Sequence, residues 1–205
     1  MKRIRQLISF LLIIFLMLGC SSAAIGEEDP PETVLISVPE ATEEVSREDR
    51  FPAAGVLFQW AVGAEASSEF SNPEWSAAQA LGIPDSPGCG DYQFAWASAA
   101  SDSIDTLVLD YPVLVYPLEI VVYESFNPDQ VVKVEVLDPD TGGFYTVLQK
   151  NPIQVDRSCP YELAIPVMGI NFKTNTVRIT LDQSQLGLGW NEIDAVELIG
   201  SVNPP

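Results

Sequence analysis

After residue 51 the chain settles into short runs of alternating or β-branched apolar residues. They fall at 56–62, 106–111, 118–126, 130–138, 144–149, 162–167, 176–182 and 193–200. The stretches LEIVVYE (118–124) and VVKVEV (131–136) are the clearest strands. Pro, Gly, Asn or Asp bounds each run, and these residues favour turns over ladders. In residues 138–143 (DPDTGG), two glycines stand where a hairpin loop needs positive φ. One helix is expected over 75–81, with Ser71 or Asn72 as cap, Pro73 and Glu74 in its first turn and Gly82 as its stop. The pattern predicts an all-β sandwich of about eight strands with one short helix.

Upstream the pattern changes. Lys2, Arg3 and Arg5 precede an apolar run, 7–18, broken only by Ser9. That run is short for a span of about 30 Å of hydrocarbon and suits the core of a signal peptide. Met17-Leu18-Gly19-Cys20 resembles the bacterial lipobox, which implies cleavage after residue 19 and acylation of Cys20. More than one acyl chain gives a stable anchor. The expected organisation is a lipoprotein signal peptide (1–19), a lipidated Cys20 with an acidic linker (20–50) and a β-sandwich domain (51–205). The linker is rich in Glu and Pro and lacks aromatic residues, so it buries too little to offset its conformational entropy. Within it, TVLISV (33–38) is β-prone and suited to adding at a sheet edge. The expected location is a bacterial cell envelope, outside the cytoplasm and tethered by lipid.

Charge and chemistry narrow the function. The chain carries 10 Lys and Arg against 29 Asp and Glu, a formal net charge of −19, and no histidine. Such an acidic surface argues against a nucleic-acid partner. Without histidine there is no Ser-His-Asp triad, no His-ligated zinc and no imidazole base. Beyond Cys20, Cys89 and Cys159 remain as an even pair in an exported chain. A disulfide between them is the expectation. Two buried thiols are the alternative, and a zinc shell built on two thiolates without histidine would be incomplete.

Blocks in residues 58–200 resemble the galactose-binding-domain-like jelly roll, related to discoidin and coagulation-factor type C modules. They include Gln59-Trp60-Ala61, Ala66-Ser67-Ser68-Glu69-Phe70, the run from Trp75 to Asp85, Cys89-Gly90-Asp91, Ala95-Trp96-Ala97-Ser98, Val122 to Pro128, and Asn191 to Leu198. The nearest variety is the module of many bacterial surface proteins, also found at the front of a mitochondrial F-box/leucine-rich-repeat protein. Asp129 follows Asn127-Pro128 where the family pattern has glycine. The resemblance implies a jelly roll that binds glycans, lipids or proteins. It also implies a structural calcium site near the rim, with carbonyls from 80–91 and charged ligands from Asp85, Asp91 and Glu197.

Four tryptophans are candidate sugar platforms. Trp60 and Trp96 read as core. Trp190, on the Gly-rich loop LGLGW, is the best ligand candidate, with Asn191 and Trp75 beside it. Glu192 and Asp194, like Asp138 and Asp140, stand two apart, a spacing that puts both on one strand face. Asp194 reads as a hydrogen-bond acceptor for a loop, and Lys133 and Arg178 as partners of neighbouring acids. The expected function is a non-catalytic module binding a carbohydrate or an envelope protein. The alternatives are an envelope glycoside hydrolase with paired carboxylates and a structural subunit of a surface complex.

Overall fold

The alternating runs become strands wherever one face meets a second sheet. The computed structural model of the protein describes residues 47–51, 54–155 and 157–205. The expected signal peptide, Cys20 and the tether through residue 46 lie outside the described residues.

Eight strands form: β1 (Val56–Trp60), β2 (Gly63–Ala66), β3 (Ile104–Phe126), β4 (Val131–Leu137), β5 (Phe144–Gln149), β6 (Tyr161–Pro166), β7 (Thr174–Asp182) and β8 (Glu192–Ser201). The number matches expectation but the division does not. The runs 106–111 and 118–126 belong to one strand, β3, and β2 lies where no strand was expected. All pairings are antiparallel. One sheet joins β1, β8, the second half of β3 and β6. The other joins β2, the first half of β3, β7, β4 and β5.

Strand β3 therefore serves both sheets, and it changes sheet at a corner. Its ladder with β7 is interrupted between Asp110 and Val115. Pro112 lies inside this stretch and Pro117 just beyond it, where a missing N–H is tolerated. Gln59 closes the corner: its Nε2 donates to the Val113 carbonyl at 3.1 Å, and its Oε1 accepts the Val113 N–H at 3.0 Å. A Cβ on Gly200 would lie 2.3 Å from Val115 Cγ2, so the close approach of β8 requires glycine. Ile104 pairs with Asp182 and Phe126 with Glu192. Both ends of β3 thus return to the same end of the sandwich, where loop 183–191 joins β7 to β8.

Between the sheets lie Trp96, Leu107, Leu109, Ile120, Val134, Ile179, Leu181, Ile193 and Leu198, all fully buried. Each large aliphatic side chain contributes about 1.5–3 kcal/mol by leaving water. The Asp138 turn forms as expected. Gly142 sits at φ 71°, and the Asp138 carboxylate accepts from Asp140 N and Thr141 Oγ1. Arg178 and Lys133 both pair with the buried Glu135, at 2.7 and 2.5 Å.

The expected helix over 75–81 is a correction. Only Ala77–Ala80 turns, as a single 3-10 turn, and its cap residue Ser76 makes no side-chain cap bond. Trp75 adopts φ 54°, the left-handed region, which a right-handed helix cannot include. A separate helical turn, Arg47–Arg50, precedes β1, and Arg50 pairs with Glu119 at 3.2 Å. Cys89 and Cys159 form a disulfide, as expected.

Candidate functional site

The end of the sandwich that carries loop 183–191 also gathers the rim aromatics. Trp75 arrives from the segment before the 3-10 turn, Trp190 from the glycine-rich loop, and Phe70 from the stretch after β2. Phe70 stands between them in edge-to-face contact, its centroid 5.5 Å from Trp75 and 5.3 Å from Trp190. Phe70 is 50% exposed, and both indoles are half-buried. Each indole N–H is tied down: Trp75 Nε1 donates to Asp91 Oδ1 at 3.0 Å, and Trp190 Nε1 to the Ser98 carbonyl at 2.9 Å. The rings are fixed in place while part of their apolar surface faces solvent. A notch of about 30 Å³ lies among Phe70, Trp75, Asp91, Ala97, Trp190 and Glu192.

Trp75 is held in an unfavourable backbone conformation. A bulky residue at φ 54° is a true outlier and costs on the order of 1–3 kcal/mol. Its N–H donates to the Gln93 carbonyl, and its carbonyl accepts from Ala97 N, at 3.2 Å each. These bonds fix the residue so that its indole meets Phe70 and Asp91.

The acids of the rim have distinct tasks. Glu192 is buried, and its Oε2 accepts the Tyr92 N–H at 3.1 Å. Burial, and then the nearby Asp91 carboxylate, push Glu192 up to about 8. Asp194 accepts the backbone N–H of Ser86 at 3.2 Å and of Asp85 at 3.3 Å. It is the loop acceptor that the sequence suggested. Burial raises its pKa, against the pull of these amide bonds. Asp138 and Asp140 belong to the hairpin turn, remote from this rim.

Loop 183–191 is braced from within. Gln183 accepts the Asn191 N–H at 2.8 Å and donates to Ser98 Oγ at 2.6 Å. Asn127 Nδ2 donates to the carbonyls of Leu188 and Trp190, at 2.8 and 3.0 Å. Gly187 and Gly189 supply positive φ. Asn191, expected as a ligand contact, is fully buried. Its Nδ2 donates to Glu124 Oε1 at 2.6 Å and to the Asn127 carbonyl at 3.0 Å. It anchors the loop from below. Asp129 sits at φ 89°, a conformation fit for the glycine of the family pattern, and is held by an ion pair with Arg157 and by the Val155 N–H.

The three carboxylates named for calcium are engaged separately. Asp91 takes the Trp75 indole, Asp85 lies in the loop held by Asp194, and Glu197 is buried opposite Trp60 and Val121 in the sheet. Among the described residues no three His, Cys, Asp or Glu side chains group as a metal site. Asp85, Asp91 and Glu197 therefore do not gather as one set of carboxylate ligands. Trp96 is core, its Nε1 donating to the Ser68 carbonyl, whereas Trp60 is half-buried against Tyr123. Sequence reasoning missed Phe70 as a rim residue and the Asp91–Glu192 pair. Phe70 lies just past β2, with no periodicity to mark it.

Two antiparallel sheets sharing a cornered strand, with the loops of one end clustered, define a galactose-binding-like jelly roll. Solved structures agree. The Clostridium perfringens module CpGH89CBM32-4, solved with GlcNAc-α-1,4-galactose, superposes with a TM-score of 0.52 at 15% identity, over 67% of this chain and 89% of that one. A selenomethionine-labelled mutant of chitosan-binding module 1, from the chitosanase/glucanase of Paenibacillus sp. IK-5, gives 0.52 at 14%, over 67% and 93%. Saccharomyces cerevisiae allantoicase gives 0.50 at 16%, over 71% of this chain and only 43% of the enzyme. No curated protein matches the chain. The family model described as PAPPA: Pappalysin-1, SD scarf domain, C-terminal, matches residues 50–205, and the chain belongs to that family.

Proposed function

We propose that the domain is a non-catalytic carbohydrate-binding module, with Trp75, Phe70 and Trp190 as its platform. One observation carries this reading: two tryptophans far apart in sequence converge on a half-exposed Phe70, their N–H groups already satisfied and their rings partly bare. Such rings offer an apolar face to the C–H face of a pyranose, and a fixed ring loses little entropy on binding. Two of the similar folds are a chitosan-binding module and a module solved with GlcNAc-α-1,4-galactose. Allantoicase shows that the fold also occurs in an enzyme. A glycosidase, however, sets its two carboxyl groups several ångströms apart to leave room for chemistry. Asp91 and Glu192 are close enough to hydrogen-bond, beside a notch of only about 30 Å³.

Display at a bacterial envelope through an acylated Cys20 completes the reading, supported by the apolar leader and the Gly19-Cys20 junction. A glycan array probed with the full chain tests the binding. Selective glycan capture that disappears in Trp75→Ala and Trp190→Ala is the expected result. Capture that persists in both variants, or none at micromolar protein, would overturn the proposal. Metabolic labelling with a fatty acid tests the anchor, and an unlabelled chain with Cys20 intact would remove it.

A further inference from the structure

The end of the sandwich opposite the aromatic rim is where the chain enters the domain. Val56 opens β1 against Ser201, and Tyr116, just past the corner of β3, pairs with the same Ser201. The Gly55 carbonyl accepts the Val202 N–H at 2.9 Å, and the Ala54 carbonyl accepts from Asn203 Nδ2 at 3.2 Å. Entry point and corner are therefore neighbours. The ten residues of β8 run from the rim, at Glu192, to this end, at Ser201, roughly 30 Å away.

The corner end bares apolar side chains. Pro112, Val113 and Leu114 are three consecutive exposed residues, Val113 at 40% and Leu114 at 42%. Such a run on a surface is avoided unless it has a use. The connection from β6 to β7 arrives beside it: Val167 N donates to the Leu118 carbonyl at 2.8 Å, and Thr174 pairs with Val115. That connection leaves Met168 85% exposed and carries Phe172, whose ring lies 4.9 Å from that of Tyr145, itself 44% exposed. Lys173 Nζ sits over the Tyr116 ring, 5.4 Å from its centroid. Tyrosine and lysine around bare aliphatic side chains suit a boundary between lipid and water.

We infer that the corner end docks on a zwitterionic lipid bilayer, with Val113, Leu114 and Met168 entering it and the aromatic rim facing away. The occupant follows from the tether, and the inference rests on the acylated Cys20 proposed above. The 26 residues 21–46 separate that anchor from Arg47, and a chain of this length reaches at most roughly 90 Å. It joins the domain at the corner end. The bilayer holding the acyl chains is thus the apolar surface kept at high effective concentration beside these side chains. Charge sets the headgroup. Arg50 is paired with Glu119, Lys173 is set over Tyr116, and Asp110 and Asp140 are exposed, so this end offers no positive excess to anionic lipid. Docked in this way, the domain holds Trp75 and Trp190 out from the bilayer by about the length of β8.

Depth-dependent quenching tests the docking. The protein purified from membranes is reconstituted in vesicles of phosphatidylethanolamine and brominated phosphatidylcholine, with a fluorophore on Met168→Cys or, at the rim, on Ser184→Cys. Brominated lipid is expected to quench the label at 168 and not the label at 184, in low and high salt alike. Leu114→Glu added to Met168→Cys is expected to abolish the quenching. An unquenched label at 168, equal quenching at both sites, or quenching lost in high salt would overturn the inference. So would full quenching in a folded Leu114→Glu variant; should that variant fail to fold, the comparison of 168 with 184 decides. A label at 168 shielded from soluble iodide in native envelopes, yet untouched by brominated lipid, would give this face to a protein and overturn the inference as well. Fatty-acid labelling of the same preparation reads the anchor separately. An acylated chain with an unquenched label at 168 removes the docking and keeps the anchor, and an unacylated chain with a quenched label removes the anchor and keeps the docking.

Discussion

The Trp75 indole N–H donates to Asp91 Oδ1 at 3.0 Å, across 16 residues of sequence. This bond orients a side chain whose backbone sits at φ 54°. The residue thus keeps a conformation that the folded chain would otherwise avoid. Trp75→Gly relieves the backbone and removes the ring together. Its expected outcome is stability within about 1 kcal/mol of wild type, with glycan capture lost. Urea unfolding beside the array separates the two effects. A glycine variant that still captures glycan would remove Trp75 from the platform.

Asp194 is expected to hold the 83–86 loop by accepting two of its amides. Asp194→Ala leaves those N–H groups without their acceptor and is expected to destabilise the domain by about 1–3 kcal/mol. Amide exchange at Asp85 and Ser86 should accelerate before exchange in β8. Unchanged exchange there would show that the loop is held by other contacts.

The Cys89–Cys159 bridge spans 70 residues. Closing a loop of that size in the unfolded chain stabilises by about 4 kcal/mol in the chain-entropy model. Reduction, or Cys89→Ser with Cys159→Ser, is therefore expected to lower the urea midpoint clearly. Identical midpoints with and without reductant would contradict this.

Stability should fall as the solution becomes alkaline. Unfolded, Glu192 titrates near its ordinary 4.5; folded, burial and Asp91 bring it to about 8. Between those values the folded state keeps a proton that the unfolded state has released. Its contribution is full below about pH 4.5 and is lost as pH rises through 8. Asp105, Glu135 and Asp182 run the opposite way. Burial opposes their ionisation, but the hydroxyls around Asp105, Lys133 and Arg178 at Glu135, and the Ser184 and Gln185 donors at Asp182 outweigh it and lower each pKa. Their contributions are lost on acidification below about 4. Glu192→Gln should therefore gain on wild type at about pH 9 and match it more closely at about pH 5. Parallel pH profiles for the two proteins would refute the assignment.

Calcium is expected to leave the melting temperature unchanged, because Asp85, Asp91 and Glu197 do not converge. A rise with calcium that chelator reverses would require a different set of oxygen ligands.

Period-two patterning made most of the sandwich legible, because each strand buries one face against the other sheet. It failed where local chemistry and tertiary context disagree. Pro112 and Pro117 read as strand ends, yet the chain continues through them because the ladder changes sheet at that point. The four residues of β2 are too short to show a period. The residues 71–82 carry every local mark of a helix, but tertiary contacts place Trp75 outside the helical basin. At the rim, tryptophan identity revealed Trp75 and Trp190. The burial of Asn191 and the exposure of Phe70 depend on loop paths that no local pattern encodes.

The corner in β3 has a mechanical consequence. One uninterrupted ribbon is stitched into both layers, and Gln59 and Gly200 pinch it where it crosses. Peeling either layer must tug on the other through the same backbone. Tension applied at the rim would be shared across the whole sandwich.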